Sequence, residues 1–408
     1  MNPLRGFVRD TAWLSAGLAV SQGVLLLAMP WWSRLYGPAE FAALGLWTAV
    51  VAVVSMLLLL RYDTCIVIAA SDEDARGLLR LCLLVAAGGG VLLAWVAWML
   101  PAQVQATLGL AALGGWLPLA VLAGAMAAAL AAGLAWTNRR RDYRRMAVAR
   151  GVPSLWAALT GGWLGMAGFG GGLLVAHLIA GLVALSTLRY GLRPATPVAQ
   201  VAQMHAQAPR YLWPAAMLDA ITQQLPLLLT ALWFSAEVAG QFSLAWRATA
   251  LPMLMLAGAA GSVFYQRFSQ LQNDPAAARE LLLATWRLFA LIGALPVLVV
   301  TLFGEPLFAW VFGDRWAEAG AMASLLMPML WAMLISSPTS GALIVLGLQR
   351  WAPPFGVAML VYRPLAFWIG AQQGSVALGL ALWAACECAA IVLYNLLLLR
   401  RLRSVPAT

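Results

Sequence analysis

The 408-residue chain contains no lysine, and it is poor in charged residues, histidine and cysteine. Its 25 basic residues are all arginine, and they stand against 15 acidic residues, two histidines and four cysteines. Charged residues make up 10% of the chain and hydrophobic residues 63%, with a mean hydropathy of +0.85. An ordinary soluble domain carries about 25% charged residues. The composition therefore excludes a soluble globular protein and indicates a membrane protein.

Motifs for catalysis and metal binding are also missing. The chain has no glycine-rich loop of the form GxxxxGK[ST], so ATP hydrolysis is not expected. Cys386 and Cys388 are two residues apart and would point to different sides of a helix, which makes them a poor metal pair. The longest outside loop, 303–320, is itself half apolar and offers no room for a catalytic domain. The sequence therefore predicts neither an enzyme nor a bound metal or cofactor.

Long apolar stretches recur along the whole chain. A stretch of about twenty apolar residues is enough to cross a ~30 Å hydrocarbon core. The sequence contains twelve such stretches, at 11–30, 41–60, 81–100, 110–135, 151–169, 171–189, 212–234, 242–264, 281–303, 320–346, 352–371 and 376–399. We therefore predict an all-α polytopic membrane protein with about 12 transmembrane helices.

The arginines are distributed unevenly between the two sides of this predicted membrane protein. With the amino terminus in the cytoplasm, alternation of the spans assigns 20 of the 25 arginines to cytoplasmic segments. The densest run is TNRRRDYRRMAVAR (137–150). Such asymmetry follows the positive-inside rule and predicts that both termini are cytoplasmic. The net charge of +10 thus reflects topology and not a nucleic-acid partner, with contact to anionic lipid head groups as a secondary interpretation of the run.

The two halves of the chain resemble each other in sequence. PAEFAALGLW (38–47) is similar to SAEVAGQFSLAW (235–246) if two residues are inserted. Further matches follow in the same order with a slowly growing offset, namely residues 75–79 with 278–282, Pro118 with Pro328, and Arg140 with Arg350. A shared order of this kind indicates an internal repeat.

A polar, proline-containing stretch at 189–210 divides the two copies. We predict an N-terminal six-helix lobe at 1–190, a cytoplasmic linker at 191–211 and a C-terminal six-helix lobe at 212–408. An even number of spans in each copy means that both insert in the same orientation, so a pseudo-two-fold axis along the membrane normal is expected to relate the lobes. Two bundles around a central cleft are typical of a transporter.

An arginine and an aspartate interrupt an apolar stretch in LLLLRYDTCIVIAASDED (57–74). Residues 41–70 predict one helix of ~45 Å, with Arg61 near its cytoplasmic end. Arg61 and Asp63 would be about 200° apart on that helix and cannot pair with each other. Arg61 either reaches the cytoplasmic interface or lies at the inner mouth of a cleft.

Three further arginines lie within the spans or at their outer ends. Arg34, Arg247 and Arg363 form a candidate ladder of positive charge between the leaflets. Arginine suits phosphate because its planar guanidinium can bind two oxygens at once. The alternative interpretation is a set of structural ion pairs, with Asp219 and Glu387 as the partners.

The stretch 211–234 has the densest polar content of any predicted span. Asp219 and Gln223 are four residues apart and share a helix face, and prolines stand on either side of them. A carboxylate in a helix that can bend is a candidate site for a cation or a proton, to which Glu387 could contribute. The alternative is a polar packing seam.

Three stretches resemble a known family. LYGPAEFAALG (35–45) followed by LLLLRYDTCIVIAASDEDA (57–75) is similar to the first half of Wzx-type polysaccharide transporters. GQFSLAWRATALPMLMLAGAAGSVFYQRFS (240–269) resembles the eighth-span region of the same family. These transporters belong to the multidrug/oligosaccharidyl-lipid/polysaccharide (MOP) superfamily.

The resemblance implies a flippase in the bacterial inner membrane. Its substrate would be an oligosaccharide linked to undecaprenyl pyrophosphate, an O-antigen or exopolysaccharide repeat unit, moved from the cytoplasmic to the periplasmic leaflet by alternating access. Carried over to this chain, Arg34, Arg61, Arg247 and Arg363 are the candidate head-group contacts. Asp219 is the candidate coupling site for Na⁺ or H⁺.

The expected partners are the lipid-linked oligosaccharide, the phospholipid bilayer and polysaccharide assembly proteins. Two alternatives stay open. One is a cation-coupled multidrug antiporter of the same superfamily, which would place carboxylates on its cavity wall. The other, from a different class, is a membrane-embedded polysaccharide polymerase or ligase, which the short outside loops disfavour.

Overall fold

The computed structural model describes residues 3–188, 190, 196–272 and 274–403. Within these residues all regular secondary structure is helical. The α-helices are α1 (Pro3–Leu35), α2 (Pro38–Leu59), α3 (Tyr62–Ile68), α4 (Asp72–Met99), α5 (Ala102–Thr107), α6 (Leu117–Arg139), α7 (Tyr143–Met166), α8 (Gly172–Thr187), α9 (Val198–Met204), α10 (Trp213–Trp233), α11 (Ala236–Gln270), α12 (Pro275–Phe312), α13 (Ala317–Ser336), α14 (Ala342–Val345), α15 (Ala352–Gln372) and α16 (Val376–Arg403). Short 3₁₀ or π turns occupy Ala111–Trp116, Ala208–Leu212, Asp314–Trp316, Ser337–Thr339 and Gln349–Trp351.

Each of the twelve predicted spans overlaps an α-helix, although the span at 110–135 begins seven residues before α6 and the span at 320–346 runs ten residues past the end of α13. The helices are α1, α2, α4, α6, α7, α8, α10, α11, α12, α13, α15 and α16. In the described part of the chain, nine helical segments are long and apolar enough to cross a membrane by themselves, and α8 is a shorter apolar helix of 16 residues. The prediction of an all-α polytopic membrane protein is confirmed.

The predicted single helix over 41–70 is wrong. α2 ends at Leu59, and the next two residues adopt left-handed backbone conformations, with φ 49° at Leu60 and 65° at Arg61. A non-glycine residue in this region costs on the order of 1–3 kcal/mol and persists only when surrounding structure holds it there. Tyr62 and Ile66 of α3 supply that support, since both are buried in an apolar cluster with residues of α2, α4 and α6.

The two most similar stretches of the predicted repeat each lie at the start of a helix. Glu40 accepts a hydrogen bond from the backbone N–H of Gly37 at the start of α2 (2.9 Å), and Ser235 accepts one from Val238 at the start of α11 (3.1 Å). Both stretches therefore start a helix, but the hydrogen bonds differ, because Glu40 bonds back from the first turn to the N-cap residue Gly37, whereas Ser235 is itself the N-cap residue of α11. The match of Pro118 with Pro328 has no such counterpart.

Pro118 is the second residue of α6, whereas Pro328 lies in the interior of α13. The first turn of α6 tolerates Pro118 because an N–H at that position would have no helical partner. Pro328 removes a hydrogen bond from the interior of α13. The two prolines therefore play different structural roles.

The chain forms two compact units, Met1–Leu232 and Trp233–Thr408. The first includes α10, whose Trp213 donates a hydrogen bond from Nε1 to the carbonyl oxygen of Met56 on α2 (3.2 Å). The predicted lobes at 1–190 and 212–408 describe the sequence repeat, and these boundaries stay a prediction.

Close packing of α1 against α7 explains two glycines of α7, Gly161 and Gly162. Tyr36 donates a hydrogen bond from its hydroxyl to the carbonyl oxygen of Gly161 (2.7 Å), and Trp32 donates from Nε1 to Ala158 (3.2 Å). A Cβ atom at Gly162 would lie 1.9 Å from the Trp31 ring. Burial, with the nearby Glu40 as a second cause, raises the pKa of Tyr36 to about 12, so the phenol keeps the proton that it donates.

Candidate functional site

Arg61 lies at the junction between α2 and α3. Its Nε atom is buried and has no hydrogen-bond acceptor among the described residues. The Oδ1 atom of Asp63, two residues later, is also buried and accepts no hydrogen bond from the described residues. Arg61 Nε and Asp63 Oδ1 therefore do not bind each other. A buried polar atom without a partner is uncommon, because it has lost its water without gaining a hydrogen bond. The junction therefore presents a donor and an acceptor that a ligand or water could satisfy.

Arg139 at the end of α6 secures the far end of α3. Its Nη1 atom donates to three carbonyl oxygens at the C-terminal end of that helix, those of Ala69 (2.7 Å), Val67 (3.3 Å) and Ile66 (3.4 Å). Helix C-termini leave such carbonyls without helical partners, and a cation there also interacts favourably with the helix dipole. Arg139 therefore caps α3 from a helix about seventy residues away in sequence.

The same arginine forms an ion pair with Asp72 at the start of α4. Its Nε lies 2.9 Å from Oδ1 of Asp72, while Nη1 of Arg140 lies 3.2 Å from Oδ2. The Arg139 side chain is 15% exposed and that of Arg140 60% exposed. Arg139 is therefore the structural partner, and Arg140 extends into the surroundings. We name Arg139, Asp72 and the end of α3 the α3 clamp.

The residue Thr196, in the stretch between the predicted lobes, binds the first turn of α4. Its hydroxyl donates to Oδ1 of Asp74 (2.6 Å), and Ser71 accepts a hydrogen bond from the backbone N–H of Asp74 (3.0 Å). Sequence reasoning missed these contacts and the α3 clamp. The signal available was an acidic stretch, SDED, at one helix start and an arginine run at a helix end, both on the predicted cytoplasmic side.

In the second unit, Arg363 and Glu387 form a buried ion pair between α15 and α16. Nε of Arg363 donates to Oε1 of Glu387 (2.7 Å), and Nη2 contacts the same oxygen. Trp383 donates to this oxygen from its indole Nε1 (3.0 Å). The two charged side chains are only 8% and 5% exposed. The geometry is that of the structural ion pair that the sequence offered as the alternative for Arg363.

An aromatic cluster surrounds this pair. The Trp383 ring centroid lies 5.7 Å from those of Trp246 and Phe367, and 6.1 Å from that of Phe242. The rings come from α11, α15 and α16. Because the ion pair beside Trp383 is almost fully buried, its two charges attract each other more strongly than they would in water. Arg247 directly follows Trp246 on α11 and is half-buried.

Arg34 is exposed in the last turn of α1, at the opposite end of α2 from Arg61. The 22 residues of α2 correspond to about 33 Å at 1.5 Å per residue. A single head group therefore does not contact Arg34 and Arg61 at the same time.

Asp219 and Gln223 are both exposed and share one face of α10. No ion pair of Asp219 is observed in the described part of the chain. Glu387, the third candidate for ion coupling, is bound by Arg363 in the second unit. Among the described residues, no group of three or more histidine, cysteine, aspartate or glutamate side chains could hold a metal ion. The head-group and coupling roles of the candidate residues stay predictions.

Comparison with known proteins assigns the family. A family model described as "Polysaccharide biosynthesis protein" matches residues 32–321, which include the α2–α3 junction, the α3 clamp and α11. The chain belongs to the polysaccharide biosynthesis protein family. No curated protein matches the chain in sequence.

Solved structures with the same fold are membrane transporters. An inward-facing multidrug resistance MATE family transporter of the MOP superfamily matches with a TM-score of 0.75 and 16% identity, over 97% of this chain and 98% of that chain. The lipid II flippase MurJ in an inward closed conformation matches with a TM-score of 0.74 and 12% identity, over 94% of this chain and 86% of that chain. A MOP superfamily transporter from Pyrococcus furiosus matches with a TM-score of 0.59 and 15% identity, over 98% of this chain and 96% of that chain. The family model confirms the predicted resemblance to a polysaccharide family, and these structures confirm that the chain has the predicted fold of MOP superfamily transporters.

Proposed function

We propose that this protein is a flippase that moves an oligosaccharide linked to undecaprenyl pyrophosphate from the cytoplasmic to the periplasmic leaflet of the bacterial inner membrane. The oligosaccharide would be a repeat unit of O-antigen or exopolysaccharide. The family match over residues 32–321, together with a fold shared with a lipid II flippase, is the observation that supports this proposal. Both termini would be cytoplasmic, and polysaccharide assembly proteins would receive the product.

The first contact with the pyrophosphate is assigned to Arg61. Its buried Nε has no acceptor among the described residues, and a phosphate oxygen would satisfy it. Arg34 would serve a later stage, because the length of α2 separates the two arginines by about 33 Å, close to the thickness of the hydrocarbon core. The head group would thus pass from one arginine of the first unit to the other, and Arg247 stays a candidate contact of the second unit.

Arg363 is a weaker candidate for this role than Arg61. Its guanidinium is already bound to Glu387 inside an aromatic cluster, and a phosphate would have to displace that carboxylate. Removing one partner from a buried pair leaves the other charge without compensation, which is strongly unfavourable. A head-group role for Arg363 therefore requires that the pair opens during transport.

The membrane potential favours export of such a substrate without a coupled ion. A pyrophosphate with about two negative charges gains at most about 4.6 kcal/mol at ~100 mV, at ~2.3 kcal/mol per charge. Coupling to Na⁺ or H⁺ through Asp219, Gln223 or Glu387 is therefore permitted but not required.

Complementation of a strain that lacks the gene tests the proposal. Wild-type protein should restore surface polysaccharide, and Arg61→Gln should reduce it by at least about tenfold, since a hydrogen bond to a charged group contributes about 1.5–3 kcal/mol. Arg144→Gln is the matched control, because Arg144 is an exposed arginine on the same predicted side. Equal restoration by the Arg61 and Arg144 variants at equal protein levels would contradict the assignment of Arg61.

A cation-coupled multidrug antiporter is the second candidate, supported by the fold shared with a multidrug resistance MATE family transporter. The exposed carboxylate of Asp219 on α10 would then carry the coupled ion. In that case the wild type should protect cells against cationic dyes, Asp219→Asn should abolish protection, and surface polysaccharide should not depend on the protein. Polysaccharide restoration without dye resistance supports the flippase.

A further inference from the structure

A cavity of about 540 Å³ lies within the first unit, among α1, α6, α7 and α8. Its polar lining consists of Ser21, Gln22, Arg150, Ser154 and His177. The volume falls within the range of about 300–1,000 Å³ that is typical of small-molecule sites, and like them the cavity is mostly apolar with a few polar groups. None of the candidate head-group arginines lines it, so this cavity is a separate feature of the molecule.

Arg150 supplies the fixed charge of the cavity. No ion pair between Arg150 and a carboxylate is observed among the described residues, and no acidic residue belongs to the described lining. Arg150 is half-buried and lies at the end of a predicted span, where lipid phosphates commonly meet arginine side chains. An anion from outside the chain can therefore pair with Arg150.

The hydrogen bonds of the two serines show which other groups the ligand must carry. Ser154 donates to the backbone carbonyl of Arg150 (3.1 Å), and its oxygen lies 2.7 Å from that of Ser21. Because Ser154 has only one proton, Ser21 must donate to Ser154, which leaves Ser21 with acceptor lone pairs. Gln22 adds an amide that can donate and accept. The cavity thus combines one cation with hydrogen-bond acceptors.

His177 contributes shape and not a required charge. Its Nδ1 donates to the carbonyl oxygen of Leu173 (2.7 Å), and its ring stands edge-on to Trp32 with centroids 6.0 Å apart. These contacts fix the ring in the wall of the cavity, as expected of a packing residue.

The position of Arg150 in the membrane selects the source of the anion. It follows the arginine run of residues 137–150 and directly precedes the predicted span at 151–169, at the depth where lipid phosphates lie. Leu25 and Leu130 continue the lining as apolar surface. A lipid can place a phosphate at Arg150 and the start of an acyl chain against these leucines.

We propose that this cavity binds the head group of an anionic phospholipid that bears hydroxyls, of the phosphatidylglycerol type, with its phosphate at Arg150 and its hydroxyls at Ser21 and Gln22. The anion satisfies the arginine, and the hydroxyls donate to the acceptors that the serine pair leaves available. The site is independent of the proposed flipping activity, since it involves no residue assigned to the transported head group.

Native mass spectrometry of the full chain tests this proposal. The micelles contain phosphatidylglycerol, phosphatidic acid and phosphatidylcholine in equal amounts. The wild type should retain phosphatidylglycerol over phosphatidylcholine by about fivefold, the ratio that one arginine near an anionic lipid supplies. Arg150→Gln should lose this preference, while Arg144→Gln, an exposed arginine of the same run, should keep it. Equal losses in the two variants would show a general basic surface and overturn the cavity site.

A second variant tests the hydroxyl contacts and guards against misfolding of Arg150→Gln. Gln22→Leu keeps the charge, so it should still prefer anionic lipids but should bind phosphatidylglycerol and phosphatidic acid equally. Equal retention of these two lipids by the wild type would overturn the hydroxyl requirement. Free glycerol 3-phosphate is the last test. If it displaces the bound lipid and is itself retained, the natural ligand is a soluble phosphate compound, and the proposal of a membrane lipid is wrong.

Discussion

Each unit contains an arginine–carboxylate pair, and the two pairs differ in their exposure and in the part of the helix where they lie. In the first unit Arg139 and Asp72 meet at helix ends, with side chains 15% and 46% exposed. In the second unit Arg363 and Glu387 meet between α15 and α16, with side chains 8% and 5% exposed and an indole N–H on the carboxylate. The first arginine also binds three backbone carbonyls, whereas the second arginine donates from Nε to the carboxylate of its partner.

The difference shows that ion pairs of the same residue types can have different structural roles. The α3 clamp fixes backbone, because Arg139 satisfies carbonyls that the end of a short helix leaves open. The Arg363–Glu387 pair fixes two long helices relative to each other, because each buried charge needs the other to remain compensated. Removing a partner should therefore have a global effect in the second unit and a local effect in the first.

The largest effect is expected from breaking the buried pair. Glu387→Gln should destabilise the protein by about 3–5 kcal/mol, because it leaves the Arg363 charge buried without a partner. Unfolding followed by tryptophan fluorescence in detergent measures the loss. The double variant Arg363→Met with Glu387→Leu should recover most of it, since apolar replacement of a whole buried pair is often neutral.

The same double variant separates structure from transport. If it folds and still restores surface polysaccharide, Arg363 is a structural residue and not a head-group contact. A Glu387→Gln variant as stable as the wild type would contradict the structural role of the pair.

A smaller, local effect is expected at the α3 clamp. Arg139→Gln should speed hydrogen exchange of the α3 amides by about tenfold, because hydrogen bonds to charged groups contribute about 1.5–3 kcal/mol. The remaining helices should keep their protection. Arg140→Gln is the control, since Arg140 is 60% exposed and an exposed ion pair contributes little. Equal acceleration by both variants would show that the arginine run acts through its net charge alone.

A second comparison concerns α2 and α11, which start from similar sequence. Both have a side-chain hydrogen bond in their first turn, but α2 stops after 22 residues at two left-handed positions, whereas α11 continues for 35 residues. With the offset of 199 that joins Trp47 to Trp246, Arg61 is placed opposite Ala260, which lies within α11. The same region of the repeat is thus a break in one unit and a helix interior in the other.

Glycine substitution at these two positions should have the smallest effects, and their signs should be opposite. Arg61→Gly should raise stability by about 0.5–1 kcal/mol, because glycine adopts a positive φ without strain. Ala260→Gly should lower it by about 1 kcal/mol, because glycine weakens a helix interior. Thermal unfolding of both variants measures the difference. Losses of equal size at both positions would show that the left-handed conformation of Arg61 carries no strain.

Sequence reasoning located the helices but not their contacts. The twelve spans followed from hydropathy, which depends only on local composition. The break after α2 could not be predicted, since Leu60 and Arg61 are neither glycine nor asparagine and carry no local signal for a left-handed backbone. Arg139 was assigned to topology because its partners at residues 66–69 and 72 are distant in sequence.

Among the candidate site residues, the sequence identified the ionisable groups at membrane depth. It left two interpretations open for Arg363, and the observed pairing with Glu387 matches the structural one. For Asp219 and Gln223 it predicted a shared helix face, which is observed on α10. It gave no sign that Arg150, counted only as a topology determinant, lines a cavity.

The sequence by itself determined that this protein is a polytopic helical membrane protein, because apolar length and arginine placement are sufficient to decide membrane insertion. The sequence also determined the polysaccharide biosynthesis family, through the match over residues 32–321. Only the tertiary structure decided which arginines are compensated and which face a cavity or a junction. That choice depends on the carboxylates and carbonyls that neighbouring helices bring near each guanidinium, and packing sets those distances.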